Sequence, residues 1–157
     1  MPATEGRMSK RLTWSTSLLA CAAILLAAPL GAAASEPAKV VVKLVDGGNG
    51  HMSLVISPKQ IPPGPVEFTI ENQSGTIKHE FLFARWQKPD GALPYDEKTQ
   101  QVQEDAVKGL EGVEDLRPHE SVTAQFTLSK GRYVVFCNEP GHYRSGMHAD
   151  FIVGSAR

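Results

Sequence analysis

Three side chains that bind soft metal ions lie close together near the end of the chain. The stretch from Cys137 to Met147, called the ligand loop below, reads Cys-Asn-Glu-Pro-Gly-His-Tyr-Arg-Ser-Gly-Met. It spaces a thiol, an imidazole and a thioether as Cys-x4-His-x4-Met. Sulfur ligands favour copper over calcium or magnesium, and a trigonal copper site uses two imidazoles, one thiolate and a weak axial Met. The loop supplies Cys137, His142 and Met147, so a second imidazole must come from elsewhere.

The second imidazole is predicted to be His79, which lies in the strand-like segment 77–83. Alternate residues of a strand face the same side, so His79 shares its face with Phe81 and points into the protein. Cys137 and Met147 also fall in the inward register of the strands that they adjoin. The alternation of side chains therefore predicts that His79, Cys137 and Met147 point into the interior, each at the end of a strand.

Apolar residues alternate with polar ones through most of the chain from Lys39 onward. The residues predicted to point inward in the first, second, third and fifth of these strands are Val40, Val42, Leu44, Met52, Leu54, Ile56, Val66, Phe68, Ile70, Val122, Ala124, Phe126 and Leu128. About seven short strands with turn residues between them indicate an all-β antiparallel sandwich.

Residues 87–118 interrupt this alternation and are predicted to be an insert. Asp96 is placed to cap one short helix, in which Val102, Ala106 and Leu110 recur at four-residue spacing. The insert is expected to cover part of the sandwich. Its acidic residues are interpreted as a solvated face: Glu97, Glu104, Asp105, Glu111, Glu114 and Asp115.

The ligand loop resembles that of the cupredoxins, the small blue copper proteins, and most closely the rusticyanin and auracyanin type. The similarity lies in Cys137-x-x-Pro140-Gly141-His142-x-x-x-Gly146-Met147, in the Gly131-Arg132-Tyr133-x-x-Phe136 strand before it, and in the His79 strand.

This resemblance covers residues 38–154 and implies a Greek-key β-sandwich of about seven to eight strands. It further implies one copper ion, Cu(II) or Cu(I), near one end, bound by His79, Cys137, His142 and Met147. His142 would lie close to the surface as the electron port. Glu80 departs from the family, in which many members carry Asn or Ser after the first His ligand.

Residues 1–34 are predicted to be a secretory signal peptide, and residues 35–157 the cupredoxin domain. A basic start precedes an apolar run over residues 18–30, and three alanines follow it. The run is about 13 residues, too short to span a bilayer comfortably. Cys21 ends a faint lipoprotein signal, but the apolar run continues beyond it. We expect an exported, periplasmic protein.

Charge and cysteine count narrow the function classes. Without residues 1–34, 13 of the 16 basic and 16 of the 17 acidic residues remain, a net charge of about −3, which gives no support to nucleic-acid binding. Cys137 is then the single cysteine and cannot form an internal disulfide. A lone thiol in an oxidising compartment invites oxidation unless a metal occupies it.

The ligand set indicates a single-electron carrier and not an enzyme. A cysteine nucleophile would need an oxyanion hole and would leave Met147 unexplained. Zinc fits Cys-His-His, but a thioether is a poor zinc ligand.

The alternative function is copper sequestration, delivery or resistance. Storage proteins tend to be rich in Met or His, whereas the methionines of residues 35–157 are only Met52 and Met147.

The expected partners are redox proteins that dock briefly with a monomer near His142. Electron-transfer encounters use small interfaces. Pro140, Tyr143 and the Pro62-Pro63 loop are predicted to line that surface.

Overall fold

The structure is a computed structural model that describes residues 35–47, 50–87 and 92–154. The strands in these ranges are β1 (Ala38–Asp46), β2 (Met52–Ser57), β3 (Gln60–Ile61), β4 (Gly64–Asn72), β5 (His79–Arg85), β6 (Tyr95–Asp96), β7 (Gln101–Val102), β8 (Glu111–Leu116), β9 (Ser121–Leu128), β10 (Gly131–Phe136) and β11 (His148–Val153). The signal peptide predicted for residues 1–34, with Cys21, lies outside the described residues. In the part of the chain that is described, no helix has the length and hydropathy needed to cross a membrane.

The described strands form two main sheets that pack face to face. One sheet has the order β2-β1-β4-β9 and the other β3-β11-β10-β5-β8, while β6 and β7 form a separate hairpin. The predicted all-β sandwich is confirmed. The sheets are mixed and not wholly antiparallel, since β1 runs parallel to β4 and β3 runs parallel to β11. The chain leaves the first sheet after β2 to form β3 in the second sheet, and it then re-enters on the other side of β1.

The space between the sheets is filled by the residues that the alternation placed inward. Phe68 of β4 is fully buried at the centre of this space. Its ring centroid lies 5.0 Å from that of Phe81, 5.9 Å from Phe83, 6.1 Å from Phe126 and 5.7 Å from Phe151. Burial of each such side chain contributes about 1.5–3 kcal/mol. The rings link β4 and β9 of one sheet to β5 and β11 of the other.

A second apolar cluster covers the outer face of the five-stranded sheet. It joins residues of β5, β10 and the ligand loop to residues of the insert: Leu82, Ala84, Leu93, Val102, Val107, Val134, Phe136 and Tyr143. β5 and β10 are therefore buried on both faces, which explains the unbroken apolar runs in their sequences. Residues 92–110 cover the sandwich, as expected of the insert. The predicted bounds 87–118 are too wide, because residues 111–116 form β8 of the five-stranded sheet. The acidic residues of the predicted insert are exposed, also as expected.

The short helix predicted after Asp96 is wrong. Asp96 does accept two backbone N–H bonds, from Lys98 (2.7 Å) and Thr99 (3.3 Å), but they close a turn between β6 and β7. The same side-chain geometry caps helices and closes such turns. Both backbone groups of Val102 bond to Asn138, so neither is left for a helix. A three-residue 3₁₀ turn at Glu104–Ala106 is the helical structure found in this described part of the insert.

Candidate metal centre

The predicted ligand residues lie at the ends of three neighbouring strands. His79 begins β5, Cys137 directly follows β10, and Met147 directly precedes β11. β10 lies between the other two strands in the sheet. Residues that are far apart in sequence, such as His79 and Cys137, therefore meet at one end of the sandwich, called the metal-binding end below.

Three donor atoms form a compact triangle at this end. The Nδ1 atoms of His79 and His142 are 3.2 Å apart, and Cys137 Sγ lies 3.4 Å from Nδ1 of His142 and 3.9 Å from Nδ1 of His79. One point in the plane of the two Nδ1 atoms and Sγ lies about 2.0 Å from all three. Zinc binds nitrogen and sulfur ligands at 2.0–2.3 Å, and copper is a metal of similar size. The three side chains thus fit a single metal ion of this size.

Met147 is tied to the triangle through the backbone. The Cys137 N–H donates to the Met147 carbonyl (3.0 Å), and the Met147 N–H donates to the carbonyl of His142 (3.1 Å). Met147 is fully buried and belongs to the same core cluster as Cys137. The sequence placed its side chain in this interior register, and the structure agrees.

Two glycines allow the ligand loop to turn tightly. Gly141 and Gly146 have φ angles of +83° and +104°, which L side chains rarely adopt. A Cβ at Gly146 would also lie 2.8 Å from the Met52 carbonyl oxygen. The turn bonds run from the His142 N–H to the Glu139 carbonyl and from the Ser145 N–H to the Gly141 carbonyl, both at 3.0 Å.

A buried polar network that sequence reasoning missed holds the segment before His79. Asn72 accepts the Ser74 N–H (2.9 Å) and donates to the Ile77 carbonyl (2.9 Å). The Ser74 hydroxyl accepts the Ile77 N–H (2.8 Å) and donates to Asp46 (3.0 Å). Asn72 and Ser74 are almost fully buried, so this network fixes the chain two residues before His79. The Asn-x-Ser pattern was recognisable only as a turn.

Burial keeps the metal-free site uncharged at neutral pH. It raises the pKa of the Cys137 thiol to about 12, although the backbone N–H groups of Glu139 and Glu80 bond the sulfur and oppose the rise. Burial and then the neighbouring His142 lower the pKa of His79 to about 4, and burial also lowers the pKa of His142. A metal ion entering this site would therefore displace one proton, from Cys137.

Only one edge of the His79 ring meets polar atoms. Its Nδ1 faces the triangle, while its Nε2 is buried without a hydrogen-bond partner among the described residues. His79 is fully buried, whereas His142 keeps 9 % of its surface exposed. The two imidazoles therefore differ in access to solvent, and His142 is the one that reaches the surface.

Glu80 is the acidic residue that follows His79 in the chain. Burial, followed by the carboxylates of Glu139, Glu104 and Glu114, raises its pKa to about 7. Its backbone N–H donates to Cys137 Sγ at 3.2 Å. The residue therefore contributes to the sulfur environment through its backbone, whatever the charge of its side chain.

Replacing Glu80 by glutamine should make the metal-free protein more sensitive to acid. Below pH 6.5 the unfolded chain protonates His79 but the folded protein does so only near pH 4, so the free energy of unfolding falls as the pH drops. Glu80 acts in the opposite sense, because the folded protein takes up its proton near pH 7 and the unfolded chain near 4.5. Urea unfolding at pH 7.5 and 5.0, with a chelator present, measures the difference.

The exposed Glu111, at the far end of β8, provides the control. Glu111→Gln should follow wild type at both pH values, while Glu80→Gln loses more stability between them. If wild type and both variants lost the same free energy of unfolding between pH 7.5 and 5.0, the raised pKa of Glu80 would be contradicted.

Comparisons with known proteins identify the fold. No protein-family model and no curated protein matches the chain. Rusticyanin from Thiobacillus ferrooxidans is similar in structure, with a TM-score of 0.56 and 22 % identity, covering 73 % of this chain and 75 % of that one. Reduced auracyanin from Roseiflexus castenholzii has a TM-score of 0.52 and 22 % identity, covering 78 % and 99 %. Auracyanin B has a TM-score of 0.52 and 21 % identity, covering 77 % and 92 %.

These proteins are cupredoxins, so the chain has the cupredoxin fold that its sequence predicted. The group formed by His79, Cys137 and His142 fits the donor set of a type 1 copper site. Met147 is positioned to complete that site.

Proposed function

We propose that this chain is an exported, mononuclear type 1 copper protein that carries single electrons between redox partners. The observation that carries the proposal is the triangle of two imidazole nitrogens and one sulfur. Cys137, His79 and His142 would hold the ion, with Met147 as the weak axial ligand. Copper, when bound, supplies a one-electron couple.

The residues around the sulfur suit this role. Burial makes the Cys137 thiolate costly without a cation, and two backbone N–H groups, of Glu80 and Glu139, bond the sulfur. Hydrogen bonds to the ligating sulfur tune the reduction potential of such sites. The buried network of Asn72 and Ser74 and the turns of the ligand loop hold the ligands in place, which suits a site that must change charge with little movement.

The exposed edge of His142 is the proposed route for electrons, and partners would dock there transiently. Pro140, two residues before His142, is exposed and fits this surface. The Tyr143 ring packs against Phe136 in the second apolar cluster, yet Tyr143 keeps 9 % of its surface exposed, as His142 does, so its place on the docking surface stays a prediction. The prediction for Pro62-Pro63 is wrong: residues 61 and 64 pair with the last residues of β11 and β9, at the end opposite the metal-binding end.

The proposal of export rests on the leader-like residues 1–34 and on Cys137 as the single cysteine of residues 35–157. A periplasmic location would expose the thiol to oxidation unless a metal is bound. A carrier that works as a monomer, with brief encounters, fits the small exposed edge of His142.

The test is to add one equivalent of Cu(II) to residues 35–157 and record visible and electron paramagnetic resonance spectra. We expect an intense blue thiolate-to-copper band, narrow hyperfine splitting and reversible voltammetry. A pale solution with a broad spectrum, or oxidation of Cys137 without a blue band, would contradict the proposal. A blue site without a reversible couple would instead favour copper sequestration or delivery.

A further inference from the structure

The insert contacts the ligand loop at several points. We call residues 92–110 the clamp segment. The side chain of Asn138, which is 2 % exposed, accepts the Val102 N–H at 2.6 Å and donates to the Val102 carbonyl at 3.1 Å. One side-chain amide thus pairs with both backbone groups of a residue, as a neighbouring strand would. The same Asn138 amide donates to Glu104 at 2.7 Å.

Two hydrogen bonds connect the backbone of the ligand loop to the clamp segment. The Gln101 side chain donates to the Asn138 carbonyl at 2.9 Å. The Gly141 N–H donates to the Gln100 carbonyl at 2.8 Å. These contacts hold the loop on the side that precedes His142.

The residues after His142 are held by the same segment. The Leu93 N–H donates to the Tyr143 hydroxyl at 3.3 Å. Arg144 forms an ion pair with Glu97 and lies 4.3 Å from the centre of the Tyr95 ring. The clamp segment therefore holds the chain on both sides of His142, and Asn138 adjoins Cys137 directly.

We propose that the clamp segment holds the ligand loop in its metal-binding conformation, and that Asn138 is the positioning residue that connects the two. The identity of the metal rests on the proposed function, whereas the contacts exist without metal. The three hydrogen bonds of the buried Asn138 amide are costly to break, because breaking them leaves buried polar groups unpaired. Loosening Asn138 should free the loop that carries Cys137 and His142 while the sandwich core stays folded.

The first experiment compares amide hydrogen exchange of the metal-free chain with that of Asn138→Ala. We expect the amides of Gly141 and His142 to exchange at least tenfold faster in the variant, with the amides of β1 and β4 unchanged. Gln60→Ala is the matched control, since it also removes a side-chain amide bond to a backbone carbonyl, that of Gly154 (3.2 Å), but at the opposite end. It should leave the loop unchanged.

The second experiment tests the same contact in the copper-loaded chain. Asn138→Asp removes the donor and places a carboxylate against Glu104. It should alter the hyperfine splitting and speed the loss of Cu(II) to EDTA at least tenfold. Adding Glu104→Gln restores a donor opposite the new carboxylate, and the double variant should move back towards wild type in both measurements. A residue that merely stabilised the fold would not show this rescue.

The outcomes separate the two proposals. Unchanged loop exchange in Asn138→Ala, or faster exchange throughout both sheets, would overturn the positioning role. If the loop amides exchange faster in Asn138→Ala but copper-loaded wild type shows no blue band, the positioning role of Asn138 is supported and the proposed type 1 copper site is overturned. Should Asn138→Ala fail to fold, Gln101→Ala removes a single bond to the loop and answers the same question.

Discussion

Replacing Cys137 by alanine should abolish the blue band and the one-electron couple of the copper-loaded protein. The thiolate is the proposed source of the charge-transfer transition, and among the residues described Cys137 is the free cysteine. Loss of residues that only support metal ligands weakens binding about 10–100-fold, so loss of the thiolate itself should weaken Cu(II) binding by more than about 100-fold. Visible absorption and competition with a chelator of known affinity measure both effects.

Val135→Ala is the matched control for Cys137→Ala. Val135 lies two residues earlier on the same face of the chain and is equally buried. The control should lose stability through a cavity but keep the blue band. A band that survives in Cys137→Ala would show that the thiolate is not a ligand.

Replacing Phe68 by alanine should lower the free energy of unfolding by about 3–5 kcal/mol, the usual cost of removing a buried aromatic ring. Its ring contacts four other phenylalanine rings across the two sheets. A loss of this size is a large part of the 5–15 kcal/mol that stabilises an ordinary domain. Urea unfolding of the metal-free protein measures it directly.

Phe126→Ala should cost clearly less, because Phe126 is only partly buried at the edge strand β9. The copper spectrum of folded Phe68→Ala should match wild type, since Phe68 lies in the middle of β4 and the ligand triangle at the end of the sandwich. Equal losses in the two variants would show that Phe68 is not the centre of the core.

Most of the fold follows from local pattern. The alternation around Val42, Phe68 and Val135 specified which face of each strand is buried, and the structure buries those residues. Burial is a local property of a two-residue period, so it can be read without knowing which strands are neighbours. The parallel pairing of β1 with β4 cannot be read in this way, because it depends on where the chain crosses between sheets.

The helix predicted after Asp96 failed for a related reason. The spacing of Val102, Ala106 and Leu110 is compatible with a helix, but Asn138 bonds both backbone groups of Val102 from a position 36 residues later. A contact at that separation in sequence overrides a short local preference. The sequence analysis likewise did not identify Asn138, the residue that follows Cys137, as the partner of Val102.

The sequence by itself determined the donor types, the spacing of the ligand loop and the inward register of His79, Cys137 and Met147, since side-chain chemistry and strand parity are local properties. Only the tertiary structure decided that the Nδ1 atoms of His79 and His142 lie 3.2 Å apart beside the sulfur. It also decided that the clamp segment is bonded to the ligand loop. Those distances depend on which strands pair and in what register, and residues far apart in sequence set that pairing together.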